Sequence, residues 1–159
     1  MLPKHLSAAK QCLFPNFSQE QYVVTSDSAW EYNCIAHAAD ENMVPWWPME
    51  EETEGVYWPP GVPREETLDA FIAAYKTKDY APLDEIDLTL QQGMEKIAIF
   101  ADSDGTPTHA ARQLPSGEWT SKLGYWEDIR HESPSCLESG DYGRVAKVLQ
   151  REFPHGGHQ

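Results

Sequence analysis

The sequence predicts an α+β domain, and three observations carry that prediction. Leu68, Phe71, Ile72 and Tyr75 fall at i, i+3, i+4 and i+7, the spacing of one buried helical face. Lys96-Ile97-Ala98-Ile99-Phe100-Ala101 is a short apolar run of strand length, closed by the turn residues Asp102-Ser103-Asp104-Gly105. Pro115-Ser116-Gly117 separates two further strand-like runs, 108 to 114 and 118 to 123, as a three-residue hairpin loop with Pro fixing φ and Gly taking the left-handed position. With 159 residues, one core is expected, residues 1 to 159 forming a single domain.

The elements follow in chain order. Residues 1 to 20 hold no firm period, and Pro15, Asn16 and Ser18 are turn chemistry, so a loosely attached arm is expected. Tyr22-Val23-Val24-Thr25 is β-branched and aromatic and runs into Ser26-Asp27-Ser28, which predicts a short strand at the sheet's edge. Asn33 is an N-cap for a helix through Cys34-Ile35-Ala36-His37-Ala38-Ala39, with Cys34 at its start. Between 45 and 63, Pro45, Pro48, Pro59, Pro60 and Pro63 exclude helix, and Trp46, Trp47, Tyr57 and Trp58 make an ordered aromatic loop. Those rings either wall a cleft or plug the core. Glu50-Glu51-Glu52-Thr53-Glu54 is a solvated face, and Glu65 and Glu66 are placed in the first turn of the helix that follows. The strands around 96 to 123 form an antiparallel meander. From Tyr142 to Phe153, Val145, Val148 and Leu149 have helical spacing, although their β-branching leaves a strand open, and 154 to 159 should fray.

Charge excludes whole classes of partner. Against 26 Asp+Glu stand 12 Lys+Arg, a formal charge of -14, which repels phosphate backbones and anionic lipid alike, so neither nucleic acid nor a membrane surface is expected. No apolar stretch approaches the roughly 18 residues of a span, and the beginning of the chain lacks a secretory apolar run. A cytoplasmic protein is expected, with export by a signal-independent route left open. The three cysteines, an odd number at irregular spacing, suit a reduced compartment with at least one free thiol.

A thiol at a helix start is easier to ionise, which makes Cys34 the candidate nucleophile. His109, before the small residues Ala110 and Ala111, is the candidate base. With a three-residue loop, strand alternation puts Ser121 across from Ala111 and on the face of His109, where it could fix the tautomer. A loop one residue longer would put Lys122 there, and Gln113 is a rival orienting group. Asn33 and the Cys34 amide are candidate oxyanion donors; Trp46, Trp47 and Trp58 would line the substrate, and His131 would line the site or close its segment. His37 is a partly buried polar residue or an alternative base. Cys34, His37, His109 and His131 are admissible zinc ligands without a zinc spacing, and Asp102 to Gly105 lacks the distal ligands of a calcium loop. Neither a metal nor a cofactor is expected.

The segments YNCIAHA at 32 to 38, THAARQLPSGEWTSKLG at 108 to 124 and EDIRH at 127 to 131 resemble those of an uncharacterised bacterial family that shares these motifs. More distantly, the order of cysteine at a helix start, histidine on a strand and a polar residue on the next strand resembles the papain-like fold of cell-wall peptidases and amidases. The resemblance implies a cysteine-bearing helix packed on an antiparallel sheet, with Cys34 as nucleophile, His109 as base and Ser121 as third member, although His, Asn or Gln is usual at that third position. The expected function is a cysteine peptidase, amidase or acyl transferase acting on an amide or thioester bond of a peptide or small amide. The alternative is a non-catalytic acidic protein that occupies a basic site on a protein partner.

Overall fold

The computed structural model describes residues 6 to 14, 16, 22 to 123, 126 to 139 and 142 to 153. Expectations for the remaining positions, among them the fraying at 154 to 159 and much of the arm, lie outside the described residues. The chain builds a seven-stranded antiparallel sheet with a few short helices, an α+β arrangement.

Strand β1 (Tyr22–Ser26) is an edge strand, as its β-branched and aromatic run into a turn predicts, and its side chains alternate between buried and exposed. Next to it lie β6 (Asp128–His131), β5 (Trp119–Lys122), β4 (Pro107–Gln113), β3 (Met94–Ala101), β7 (Arg144–Glu152) and the two-residue β2 (Ala81–Pro82), in that order. The helical reading of the C-terminal segment is therefore overturned. Val148 and Leu149 are both fully buried on β7, Leu149 in one core cluster and Val148 paired with Ala98 of the other, which alternation in a strand buried on both sides allows and a one-sided helix would not. The 107 to 122 hairpin has the predicted loop: the Leu114 N–H donates to Glu118 O (2.7 Å), and Gly117 adopts φ 94°. Arg112 accordingly pairs with Thr120 and Gln113 with Trp119.

Helix α1 (Ala8–Gln11) belongs to the arm, and it is not loose where it is described. Leu6 and Phe14 are buried, the Leu6 N–H donates to the Tyr22 hydroxyl, and Lys10 pairs with Glu127 at 2.7 Å. Helix α2 (Cys34–Ala38) has the predicted cap, Asn33 Oδ1 accepting the Ala36 N–H at 3.0 Å. Helix α3 (Leu68–Lys76) is capped instead by Thr67, so Glu65 and Glu66 precede it and Asp69 is the acid of its first turn.

The sheet divides the core in two. On one face α2, α3 and the aromatic loop pack against Ile97, Ile99, Ala110 and Leu149. On the other, Leu6, Phe14, Tyr22 and Leu137 pack against Ala98, Phe100, Ala111, Trp119 and Ile129. Trp46 and Trp58 are 1% and 4% exposed and Trp47 stands edge-on to Phe71 (5.5 Å), so these rings plug the core against α3 rather than wall a cleft. Proline-rich backbone cannot supply a regular apolar face, and large rings fill the space in its place.

Candidate functional site

The two faces separate the predicted pair. Cys34 sits at the start of α2 on the helix-bearing face, where the Ala110 backbone amide of β4 acts to lower its pKa against the effect of burial. His109 is the preceding strand position, so alternation sends its ring through to the other face. There the imidazole stacks on Tyr142 (4.3 Å, 7° between planes) and meets Phe100 edge-on, fully buried, with neither ring nitrogen hydrogen-bonded among the described residues. The pairing of Cys34 with His109 is thus corrected: a β-sheet stands between thiol and ring.

Ser121 lies one position beyond the last β4–β5 pair, Arg112 with Thr120, and it does hold a histidine. The ring it holds is that of His131, at 2.8 Å from Nε2. Since the Ser133 carbonyl, 2.8 Å from His131 Nδ1, can only accept, Nδ1 carries the hydrogen and Nε2 accepts from Ser121. Cys136 approaches the same Nδ1 at 3.6 Å, but that atom already bears a proton and cannot take the thiol's. Burial pushes the Cys136 thiol up to about 12 and His131 down to about 4, so both are neutral. Gln113 is engaged too, its amide donating to the carbonyls of Leu88 and Gly117. His131, Ser121 and Gln113 therefore build the core of the far face rather than a site around Cys34.

The helix-bearing face gathers a different set. Asp128, on β6, accepts the Tyr32 hydroxyl at 2.6 Å and lies 3.7 Å from Lys122 Nζ. Lys122 also donates to Trp126 O and stands over the Tyr32 ring at 4.7 Å. His37, one turn beyond Cys34, reaches Thr120 Oγ1 with Nε2 (2.9 Å) and turns Nδ1 toward Asp128 (3.9 Å) while its ring lies along that of Tyr32. The carboxylate favours the hydrogen on Nδ1, which leaves Nε2 as the acceptor of the Thr120 hydroxyl. Local sequence explains the assembly. Asn33 starts α2 so that Cys34 and His37, at i and i+3, share its sheet-facing side, while Thr120, Lys122 and Asp128 are same-face positions of neighbouring strands.

Electrostatics keep this cluster neutral around the Lys122–Asp128 ion pair. Burial pushes the Cys34 thiol up to about 11, with the Ala110 amide and the Lys122 ammonium drawing it back only in part. Burial also lowers His37, outweighing the pull of Asp128, and lowers Lys122. Asn33 is not free for an oxyanion, because Oδ1 accepts the amides of Ala36 and Trp46 and Nδ2 donates to Trp46 O at 2.8 Å. Tyr32, Thr120 and Asp128 carry no functional reading from the sequence, and Lys122 enters only as the residue that a longer hairpin loop would set in the place of Ser121. The available signal was a lysine and an aspartate inside strand-like runs, charges that are rarely buried unless paired. Among the described residues, no group of three or more His, Cys, Asp or Glu is arranged to hold a metal ion, and no helix is long and apolar enough to cross a membrane.

Fold and site together define an α+β protein with a helix-borne cysteine set against a buried polar cluster on an antiparallel sheet. The chain belongs to the family described as Domain of unknown function (DUF7689), whose model matches residues 23–150. No curated protein and no solved structure matches it.

Proposed function

We propose that this chain is a cysteine-dependent acyl-transfer enzyme, of the peptidase or amidase kind, working from the helix-bearing face of its sheet. The observation that supports the reading is that α2 carries both Cys34 and His37 onto one polar cluster with Thr120, Lys122 and Asp128. The papain-like resemblance then extends to a helix-borne cysteine over an antiparallel sheet, with the base on the helix itself in place of a strand histidine. Thiol and imidazole both rest neutral, so the proton leaves as the sulfur attacks. His37 Nε2 takes the Sγ proton, in exchange for its hydrogen bond from Thr120, while Sγ bonds to the substrate carbonyl carbon. The Lys122 ammonium faces the charge that develops on the carbonyl oxygen. The C–N bond then breaks, the leaving nitrogen takes the proton from His37, and water cleaves the Cys34 thioester to release the acid and restore the thiol. Cys34 is only 8% exposed, so the cycle requires a local opening of this face.

The test is intact-mass detection of an acyl adduct from an aryl thioester in a Cys12→Ser background, since Cys12 is the exposed thiol. The expected adduct maps to Cys34, disappears in Cys34→Ala, slows by about a hundredfold in His37→Ala and is unchanged in His109→Phe. An adduct rate indifferent to Cys34 and His37 would overturn the reading.

A second reading, an acidic binding protein that occupies a basic site on a partner, is favoured by Trp30 and Met43, which are 77% and 83% exposed on either side of α2 beside the exposed acids Glu31 and Asp40. Partner binding that collapses with salt and ignores Cys34→Ala would support it over the enzyme.

A further inference from the structure

A second site stands at the C-terminal end of β3. There the sheet loses register on both sides, with a shift against β4 between Phe100 and Ala101 and a shift against β7 between Ile99 and Phe100. Paired irregularities of this kind splay a sheet end and re-aim its side chains. Beside them opens a cavity of about 380 Å³ lined by Ala101, Asp102, Ser103, Ser139, Gly143 and Arg144. Gly143 makes its wall possible: it adopts φ 73°, and a Cβ there would lie 2.0 Å from Ala101 O.

The polar groups of this cavity are arranged for something that is not protein. Asp102 Oδ1 accepts the Asp104 and Thr106 amides, which fixes the carboxylate and leaves Oδ2 without a protein partner among the described residues. Ser139 Oγ accepts the Tyr142 amide, so its O–H remains free to donate. The Arg144 side chain makes no ion pair or hydrogen bond among the described residues. Thus opposite charges line one cavity without pairing across it. A simple anion at Arg144 would meet Asp102 and a net charge of -14, and a simple cation at Asp102 would meet Arg144. A ligand that carries both charges on neighbouring atoms satisfies both ends.

We propose that this cavity binds a free α-amino acid by its zwitterionic head, with the ammonium on Asp102 Oδ2 and the carboxylate on Arg144 and the Ser139 hydroxyl. A peptide terminus brings only one of the two charges, so the site selects free amino acids over peptides, and the remaining volume takes the side chain.

The test is a two-dimensional ¹⁵N–¹H titration of the full chain with L-alanine, L-leucine and L-phenylalanine, beside N-acetyl-L-leucine and L-leucine amide. At least one free amino acid should shift the amides of Ala101 to Gly105, Ser139, Gly143 and Arg144, and each blocked form should bind about tenfold or more weakly. Asp102→Asn, whose amide oxygen can still hold the turn, and Arg144→Gln should each weaken binding by a similar factor, with the spectrum itself reporting that the fold is kept. Silence of these amides toward all three amino acids would overturn the proposal, as would equal shifts with the blocked forms or in both variants. None of these outcomes depends on Cys34.

Discussion

The Ser121 hydroxyl donates to Nε2 of His131 across 2.8 Å, on the face of the sheet turned away from Cys34. Both groups are fully buried, and the second nitrogen of the ring donates to the Ser133 carbonyl, so this histidine is satisfied at both ends and fixed in one tautomer. A polar pair of this kind holds β5 to β6 and the 3-10 turn at Pro134–Leu137 to both.

Ser121→Ala removes one partner and leaves the other buried and unpaired. The loss should be about 1–3 kcal/mol of unfolding free energy, read from urea midpoints at pH 7.5. Acyl-adduct formation at Cys34 should be unchanged, which separates this structural role from that of a third catalytic member.

Burial lowers the histidines His37, His109 and His131, the last to about 4. In the unfolded chain each takes its proton near pH 6.5, in the folded chain only at lower pH, so unfolding takes up protons below that value. The histidine contribution to stability should be level above about pH 6.5 and fall as the pH drops, each ring contributing up to about 1.4 kcal/mol per pH unit, with the His131 share lost by about pH 4. His109→Phe removes one of these rings. Between Tyr142 and Phe100 the replacement keeps the aromatic contacts and discards two nitrogens that have no hydrogen bond, so the variant should gain about 1–2 kcal/mol at pH 7 and lose less on acidification. Urea titrations at pH 7.5, 6 and 5 test both parts, and a destabilised His109→Phe would contradict them.

What the sequence disclosed here was local. Asn33 capping α2 and the three-residue loop that pairs Gln113 with Trp119 and Arg112 with Thr120 follow from rules that act within a few residues. Alternation likewise groups His109 with Ser121, but it says nothing of which face α2 will cover, and that decided the site. The helix lies over Ala110, so the group a sulfur meets on β4 is a backbone amide, and the imidazole one residue earlier belongs to another core. The C-terminal strand was ambiguous for a related reason: a strand buried on both faces has no clean period, and only its pairing with β3 settles its type. Trp46 and Trp58 were equally open, since large rings in a proline-rich loop serve a cleft or a core alike until α3 is seen packed on them.

Asn33 joins α2 to the aromatic loop by three hydrogen bonds, two to Trp46 and one to Ala36. Asn33→Ala should cost about 2–4 kcal/mol, the sum of a lost cap and a lost loop clasp, and should shift tryptophan emission as Trp46 loosens. Asn33→Asp keeps both accepted amides and loses only the bond to Trp46 O, so it should fall between the parent and Asn33→Ala in thermal unfolding.

Asp128 is the counter-ion of a lysine whose side chain has no exposure. In Asp128→Asn the amide oxygen can still accept from Tyr32, but the Lys122 ammonium is left buried, among the described residues, with the Trp126 carbonyl and the Tyr32 ring, at a cost of about 3 kcal/mol or more at pH 7. Burial already lowers Lys122 from the ordinary 10.5, and removal of the carboxylate lowers it further. The folded variant therefore releases a proton that its unfolded chain keeps, so its stability rises with pH up to about 10.5. The deficit against the parent should accordingly shrink between pH 7 and pH 9.5 in urea unfolding. Lys122→Met in the same background should recover part of the loss at pH 7, because it removes the unpaired charge itself; a double variant no better than Asp128→Asn would show that the carboxylate acts through Tyr32 and His37 rather than through the lysine.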